Sequence, residues 1–152
     1  RLKGLAPVLA SLSGAFRDRG SRFRNTVKSA RTHLQDAVPI TLGQEFLAYG
    51  AAIEACSSEL VRRGALLRPV ALGGTAAGTG ANTLPGFRAK AVRRLAAITR
   101  LPLKPARDPR MALQSHQPLG AVSGGLRDLA LELVLPFTVF GLLSGLFRPV
   151  RG

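Results

Sequence analysis

The sequence has few acidic residues, few aromatic residues and almost no cysteine. Its 152 residues include one cysteine, one tyrosine, no tryptophan and eight Asp or Glu residues. Because Cys56 has no second cysteine to pair with, an internal disulfide is excluded, and the chain fits a reducing compartment. The two histidines and the cysteine lie too far apart to suggest a metal site. We therefore expect neither a metal nor a cofactor.

Positive charge is abundant by contrast. The 22 Lys and Arg residues outnumber the acidic residues enough to give a formal net charge of +14. Such a surface can simply be solvated, bind nucleic acid through phosphate contacts, or attract a small dianionic substrate. The arginines lie outside any recognisable nucleic-acid module, and aromatic residues make up only 5% of the chain. This content is too low for a base-stacking platform, so we expect no specific nucleic-acid binding.

No targeting segment can be read from the sequence, and one apolar stretch is long enough to be weighed as a membrane span. The chain begins at Arg1 without a charged-then-apolar leader, so we expect its start to be internal to a longer protein. Residues 129–147 carry one charge and approach the length of a membrane span. Glu132, Pro136 and two glycines favour a buried helix pair instead. We expect no membrane partner and a cytoplasmic location, with a mitochondrial one as the alternative.

Apolar residues recur at helical spacing, and 46% hydrophobic content is enough for one core. The spacing predicts helices over residues 5–28, 42–67 and 85–99, and Asp108 with Pro109 marks a further helix start. The second helix has a heptad seam, and such a seam requires partner helices. The seam consists of Leu42, Phe46, Tyr49, Ile53, Cys56, Leu60 and Leu67. Cys56 is therefore predicted to be a small buried hydrophobe.

The segment Arg31–Glu45 separates the first two helices. Thr41 and Gln44 have the spacing of a capping box, in which each side chain satisfies a backbone group at a helix start. Pro39 disfavours helical geometry in the residue before it, so the segment ahead of the cap is predicted to be extended. We interpret the segment as an irregular polar loop, a common location for groups that contact substrate.

Residues 73–83, GGTAAGTGANT, are rich in glycine but do not match a nucleotide-binding loop. A P-loop needs lysine after its last glycine, where this chain has Thr79. A dinucleotide-binding turn needs a third glycine where the chain has Thr83, and no predicted strand precedes either pattern. The segment is predicted to be a tight turn with close backbone approach.

Three segments together resemble the fumarase/aspartase superfamily. They are THLQDAVPITLGQE at residues 32–45, GGTAAGTGANT at 73–83 and SHQPLGAVSGGLRDLALEL at 115–133. The form Thr-His-Leu-Gln-Asp-Ala is typical of class II fumarases, since aspartases usually carry glutamine at the position of His33. Argininosuccinate lyases keep the histidine but differ after the glutamine. Both remain alternatives within the superfamily.

The resemblance implies an all-α fold, part of a bundle of long helices, over residues 1–135, followed by a divergent apolar and basic tail at 136–152. It implies a homotetramer whose active sites collect groups from three chains and catalyse the reversible hydration of fumarate to malate. His33 is then the catalytic residue, and Thr32 and Gln35 bind the small dicarboxylate substrate. Histidine suits this task because its pKa lies near operating pH.

The sequence also departs from the family pattern. It contains neither the first signature region nor the GSS-x-MP-x-K-x-N loop that carries the family's catalytic serine. We therefore expect an incomplete enzyme, inactive as an isolated chain. The alternative from a different class is a non-catalytic basic helical protein that assembles or binds polyanions. His116 has no acidic residue near it in the sequence and is predicted to be structural.

Overall fold

The computed structural model describes the backbone of residues 2–33 and 35–146 and the side-chain burial of residues 4–33 and 35–134. Helices dominate the described chain, which confirms the all-α class, with four short strands as the exception. The elements, in chain order, are α1 (Leu2–Arg22), β1 (Val27–Thr32), β2 (Gln35–Thr41), α2 (Leu42–Gly64), β3 (Pro69–Val70), α3 (Phe87–Thr99), β4 (Lys104–Pro105), α4 (Pro109–Gln114) and α5 (Gln117–Leu146).

The chain divides into two compact units. The first runs to Val61 and resumes at Gly125, and the second is Arg62–Gly124. The buried hydrophobic residues of the first unit are Leu9, Ile53, Leu60 and Leu129, and those of the second are Val92, Ala106 and Val122. In the first unit, Ile53 and Leu60 lie on the predicted heptad seam. The other seam residue of note, Cys56, is half-buried.

Helices α1 and α2 approach closely where both carry small residues. A side-chain Cβ on Gly43 would lie 2.7 Å from the Cα atom of Arg24 and would overlap the backbone oxygen of Gly20. Nearer the middle of both helices, the Ser13 hydroxyl donates a 2.9 Å hydrogen bond to the Gly50 carbonyl. The two helices therefore pack backbone against backbone along this line.

Strands β1 and β2 form an antiparallel hairpin from Val27 paired with Thr41 to Thr32 paired with Gln35. The prediction of an irregular loop at Arg31–Glu45 is therefore wrong. The extended segment predicted before the helix cap is present, as strand β2. The predicted first helix also ends too late, because α1 stops at Arg22 and residues 27–32 are strand. At the hairpin base, the Leu42 amide donates a hydrogen bond to the Thr26 carbonyl at 2.8 Å. Leu42 is also the first residue of α2, so the hairpin is joined directly to this helix.

In the second unit, the glycine-rich segment forms a series of tight turns, as predicted. Gly73, Thr75, Gly78, Gly80 and Asn82 all have positive φ angles. Nearby, β3 and β4 make a short parallel pair, in which the backbone amide of Lys104 donates to the Arg68 carbonyl at 2.9 Å. Asp108 caps α4 by accepting from the Arg110 amide at 2.9 Å, which confirms the predicted helix start at Pro109.

Two predictions near the end of the chain are wrong. The sequence places His116 in a short helix next to Pro118, but the residue lies between α4 and α5. The predicted pair of helices in this region is a single helix as far as the chain is described, since α5 continues from Gln117 to Leu146. The side chains of residues 135–152 lie outside the described residues. Among the helices that are described, none is both long and apolar enough to cross a membrane.

Candidate functional site

The predicted site residues lie together at the tip of the β1–β2 hairpin. Thr32 and Gln35 are the last paired residues of the two strands, and His33 begins the two-residue turn between them. Leu34 lies outside the described residues. All three predicted side chains are exposed. The local fold therefore presents a hydroxyl, an imidazole and an amide within three positions of a single turn.

His33 adopts a positive φ angle of 52°. Two-residue hairpin turns require left-handed backbone geometry, and glycine, asparagine and aspartate usually supply it. Histidine is also enriched among the non-glycine residues that adopt this geometry. The conformation sets the direction of the Cα–Cβ bond of His33, so the backbone decides on which side of the turn the candidate acid/base group starts.

A cross-strand ion pair lies directly behind the three site residues. The Arg31 Nε atom is 2.9 Å from an Asp36 carboxylate oxygen, and these two residues face each other in the register of the hairpin. A β-bulge between Ala30 and Arg31 shifts the register at this point. Bulges re-aim the side chains that follow them and increase local twist. This pair was not predicted from the sequence, although Arg31 and Asp36 are spaced symmetrically about the turn.

A second polar cluster joins the hairpin base to α2. The Lys28 ammonium lies 2.6 Å from one Glu45 oxygen, and the Tyr49 hydroxyl donates to the other at 3.1 Å. Burial, followed by the neighbouring Glu45 carboxylate, raises the pKa of Tyr49 to about 12. Tyr49 therefore stays protonated at neutral pH and remains a donor to Glu45. This cluster is half-buried and ties β1 to the first turn of α2.

The predicted capping box completes the anchorage. The Gln44 amide donates to the Thr41 hydroxyl at 3.1 Å, and the Thr41 amide donates to the Gln44 side-chain oxygen at 2.9 Å. The hairpin is thus fixed at its base and exposed at its tip. Such an arrangement leaves space around His33 for groups supplied by other segments or other chains.

The chemistry available at the tip is proton transfer and hydrogen bonding. An imidazole can accept a proton from water at neutral pH, and hydroxyl and amide groups can bind a carboxylate. Among the described residues, no group of three or more His, Cys, Asp or Glu side chains could hold a metal ion. His116 belongs to the other unit, in the short connection before α5.

Comparison with known sequences matches residues 1–135 to a protein family described as lyase. The class II fumarate hydratase of Thermosynechococcus vestitus is 40% identical over 130 residues, which are 86% of this chain and 28% of that protein. The aspartate ammonia-lyase of Pseudomonas aeruginosa is 46% identical over 133 residues, which are 85% of this chain and 27% of that protein.

Solved structures give the same result. A class II fumarase from Schistosoma mansoni superposes with a TM-score of 0.86 at 31% identity, over 97% of this chain and 33% of that one. A fumarate lyase:delta crystallin from Brucella melitensis gives a TM-score of 0.89 at 35% identity, over 99% of this chain and 33% of that one. The chain thus spans between about a quarter and a third of the length of the proteins it matches.

Proposed function

Because residues 1–135 match its sequence pattern, the chain belongs to the lyase family, and we propose that it supplies the histidine hairpin of a fumarate hydratase-type enzyme. The predicted resemblance to the fumarase/aspartase superfamily is confirmed by relatives and solved structures that carry those names. The proposed reaction is the reversible hydration of fumarate to malate. The observation that carries the proposal is the position of His33 between Thr32 and Gln35 on an exposed turn.

In the proposed reaction, the neutral His33 imidazole accepts a proton from a water molecule. The water oxygen then bonds to one carbon of the fumarate double bond, and the electron pair of that bond moves onto the adjacent carboxylate-bearing carbon. Thr32 and Gln35 donate hydrogen bonds that hold a substrate carboxylate. A second acid returns a proton to the carbanion. In the family the GSS-x-MP loop carries the catalytic serine, and this sequence does not contain that pattern.

The same hairpin supports a second candidate reaction, removal of ammonia from aspartate. The identity of 46% to an aspartate ammonia-lyase favours it. The residue at position 33 argues for hydration, because the fumarase pattern carries histidine there and the aspartase pattern carries glutamine. Histidine accepts a proton from water near neutral pH, whereas a glutamine amide does not.

We further propose a homotetramer as the assembly, a cytoplasmic or mitochondrial location, and a central helical-bundle domain at residues 1–135 followed by a divergent tail at 136–152. Two relatives, from Rhizopus oryzae and Dictyostelium discoideum, are named as mitochondrial fumarate hydratases. Several acid/base and binding groups of the family pattern are missing from these 152 residues. Groups that act as a unit cannot be removed singly without losing most of the rate.

The first prediction separates the role of the hairpin from the activity of the isolated chain. The isolated chain should show no fumarate–malate interconversion, measured by the ultraviolet absorbance of fumarate. Residues 27–41 grafted into the full-length Thermosynechococcus enzyme should support turnover. In this graft, His33→Ala should lower kcat by roughly 10²–10⁴-fold, the usual contribution of a general acid or base.

Val38→Ala is the matched control for the graft. Val38 lies in β2, 61% exposed and away from the turn, so its truncation should leave kcat within about twofold. His33→Gln tests whether position 33 selects the reaction. Ammonia release from aspartate that appears only in the Gln variant would support hydration as the reaction of the His33 form, whereas ammonia release by the graft with His33 would favour the aspartase alternative. An active graft that is indifferent to His33→Ala would contradict the assignment of the catalytic residue.

A further inference from the structure

The second unit, Arg62–Gly124, is far more basic than the rest of the chain. It contains eleven Lys and Arg residues against a single acidic residue, Asp108. That carboxylate already has a partner, because the Arg110 guanidinium donates to both of its oxygens at 3.1 Å. These hydrogen bonds lower the pKa of Asp108 and keep it ionised at neutral pH. The unit therefore carries a large unbalanced positive charge.

Part of this charge surrounds a cavity. The cavity has a volume of about 930 Å³, near the upper end of the range for small-molecule sites. Its cationic lining residues come from separate segments: Arg88 from α3, Lys104 from β4, Arg107 from the following loop and Arg110 from α4. Since Asp108 offsets Arg110, the other three cations lack a carboxylate partner within the described part of the chain.

Local structure holds these groups in place. One Arg88 Nη atom donates to the carbonyl oxygen of Ala106, a residue that is only 3% exposed. The bond orients the guanidinium and uses only one of its five N–H donors. Lys104 is held through its own backbone, which pairs with the strand at Pro69. The cavity is therefore lined by cations on fixed backbone segments, not on a mobile tail.

The glycine-rich turn forms one wall of the same cavity through Gly78 and Thr79. Gly78 has a φ of 79°, and a Cβ at this position would lie 2.6 Å from the Arg110 amide nitrogen. Only glycine allows the turn to approach α4 so closely. The Thr79 hydroxyl adds a neutral donor, and Leu66 and Met111 add apolar surface. The turn matches no nucleotide-binding pattern, yet it lines the same cavity as the three unbalanced cations.

We propose that this cavity is a binding site for a small organic polyanion, with phosphate or carboxylate groups that match the charges of Arg88, Lys104 and Arg107. Arginine forms paired hydrogen bonds to such groups, and lysine adds a point charge. Clustered cations in a concave site also raise the local concentration of anions before binding. The site lies in a different unit from the His33 hairpin and stands independently of the proposed lyase reaction.

Inorganic pyrophosphate and citrate are the probes, because both are compact anions with several charges and they separate phosphate from carboxylate sources. Isothermal titration of the 152-residue chain at physiological ionic strength should give saturable binding of at least one probe, at one site per chain. The double variant Lys104→Gln/Arg107→Gln should weaken that binding about tenfold or more, as expected for lost charge-assisted hydrogen bonds.

The matched control is Arg93→Gln/Arg94→Gln. These two arginines are exposed on α3 in the same unit and do not line the cavity. Their replacement removes the same amount of charge as the first double variant. Screening at this ionic strength should limit their effect to about threefold or less. Equal losses in the two double variants would show diffuse attraction to a basic surface and would overturn the proposal, as would the absence of saturable binding.

Chemical protection gives a second readout that needs no variant. Phenylglyoxal modifies accessible arginines, and mass spectrometry locates the modified residues. Saturating pyrophosphate or citrate should slow modification of Arg107 while leaving Arg93 and Arg94 unchanged. Uniform slowing at all three positions, or none at Arg107, would count against a defined site.

Discussion

At the scale of single residues, Gly43 sets how closely α1 and α2 approach. Its missing side chain leaves room for the backbone of Arg24, whose Cα atom would lie 2.7 Å from a Cβ at that position. Gly14, by contrast, has no atom within 4 Å of the corresponding Cβ position. Two glycines on neighbouring helices therefore have opposite roles, and only one of them is required by packing.

This difference gives a stability prediction. Gly43→Ala should lower the free energy of unfolding by about 1–3 kcal/mol, because the added methyl overlaps fixed backbone atoms. Gly14→Ala is the control and should raise it by up to about 1 kcal/mol, because alanine favours a helix interior. Urea denaturation followed by circular dichroism measures both. Equal changes in the two variants would contradict the close approach of the helices.

His33 illustrates at the same scale how far the sequence alone leads. The family resemblance identified Thr32, His33 and Gln35 as a group, and the hairpin places all three at one turn. The left-handed backbone of His33 could not be predicted, because no glycine or asparagine marks the turn. The Arg31–Asp36 ion pair was missed for the same reason, since it depends on knowing where the chain reverses.

At the scale of elements, helix starts were predictable and the strands were not. Thr41 with Gln44, and Asp108 with Pro109, are local signals whose physical meaning does not depend on the rest of the fold. The hairpin has no such signal, because both of its faces are exposed. Every described residue from Arg31 to Pro39 is exposed. Without one buried face, a strand has no reason to alternate apolar and polar residues.

The capping box should contribute measurably to the stability of α2. Thr41→Ala removes the hydroxyl that accepts from the Gln44 amide, and should cost about 0.5–2 kcal/mol of unfolding free energy. Ser58→Ala is a suitable control, because Ser58 is exposed in the middle of the same helix and loses a hydroxyl without a cap. If Thr41→Ala were as mild as the control, the cap would have no energetic role.

At the scale of the whole molecule, hydrophobic burial within one chain is small. Seven hydrophobic residues are buried among those described, whereas seventeen large ones are exposed, including Val8, Leu47 and Val61 on α1 and α2. Where exposed apolar residues adjoin one another, they mark surfaces that other chains or segments cover, and we expect this of α1 and α2. The heptad seam of α2 points in the same direction, since a seam of that kind needs partner helices.

The prediction at this scale concerns assembly. Light scattering coupled to size-exclusion chromatography should show that the purified chain forms a species with at least twice the 16.0 kDa mass of one chain. Its thermal unfolding should also depend on protein concentration, because association stabilises the folded state by mass action. A monodisperse 16.0 kDa species with a concentration-independent Tm would contradict the proposed homo-oligomer.

The hairpin has a consequence for how this protein can change over generations. Its strands satisfy each other's backbone groups, and its tethers to the rest of the unit lie at the base, through Lys28–Glu45 and the Leu42–Thr26 hydrogen bond. Substitutions at the exposed tip therefore carry little penalty in folding, because surface changes away from packed features are usually near neutral. Natural selection can explore new side chains at positions 32, 33 and 35 while the scaffold is inherited intact. The tip can therefore change its chemistry without a change in the structure that supports it.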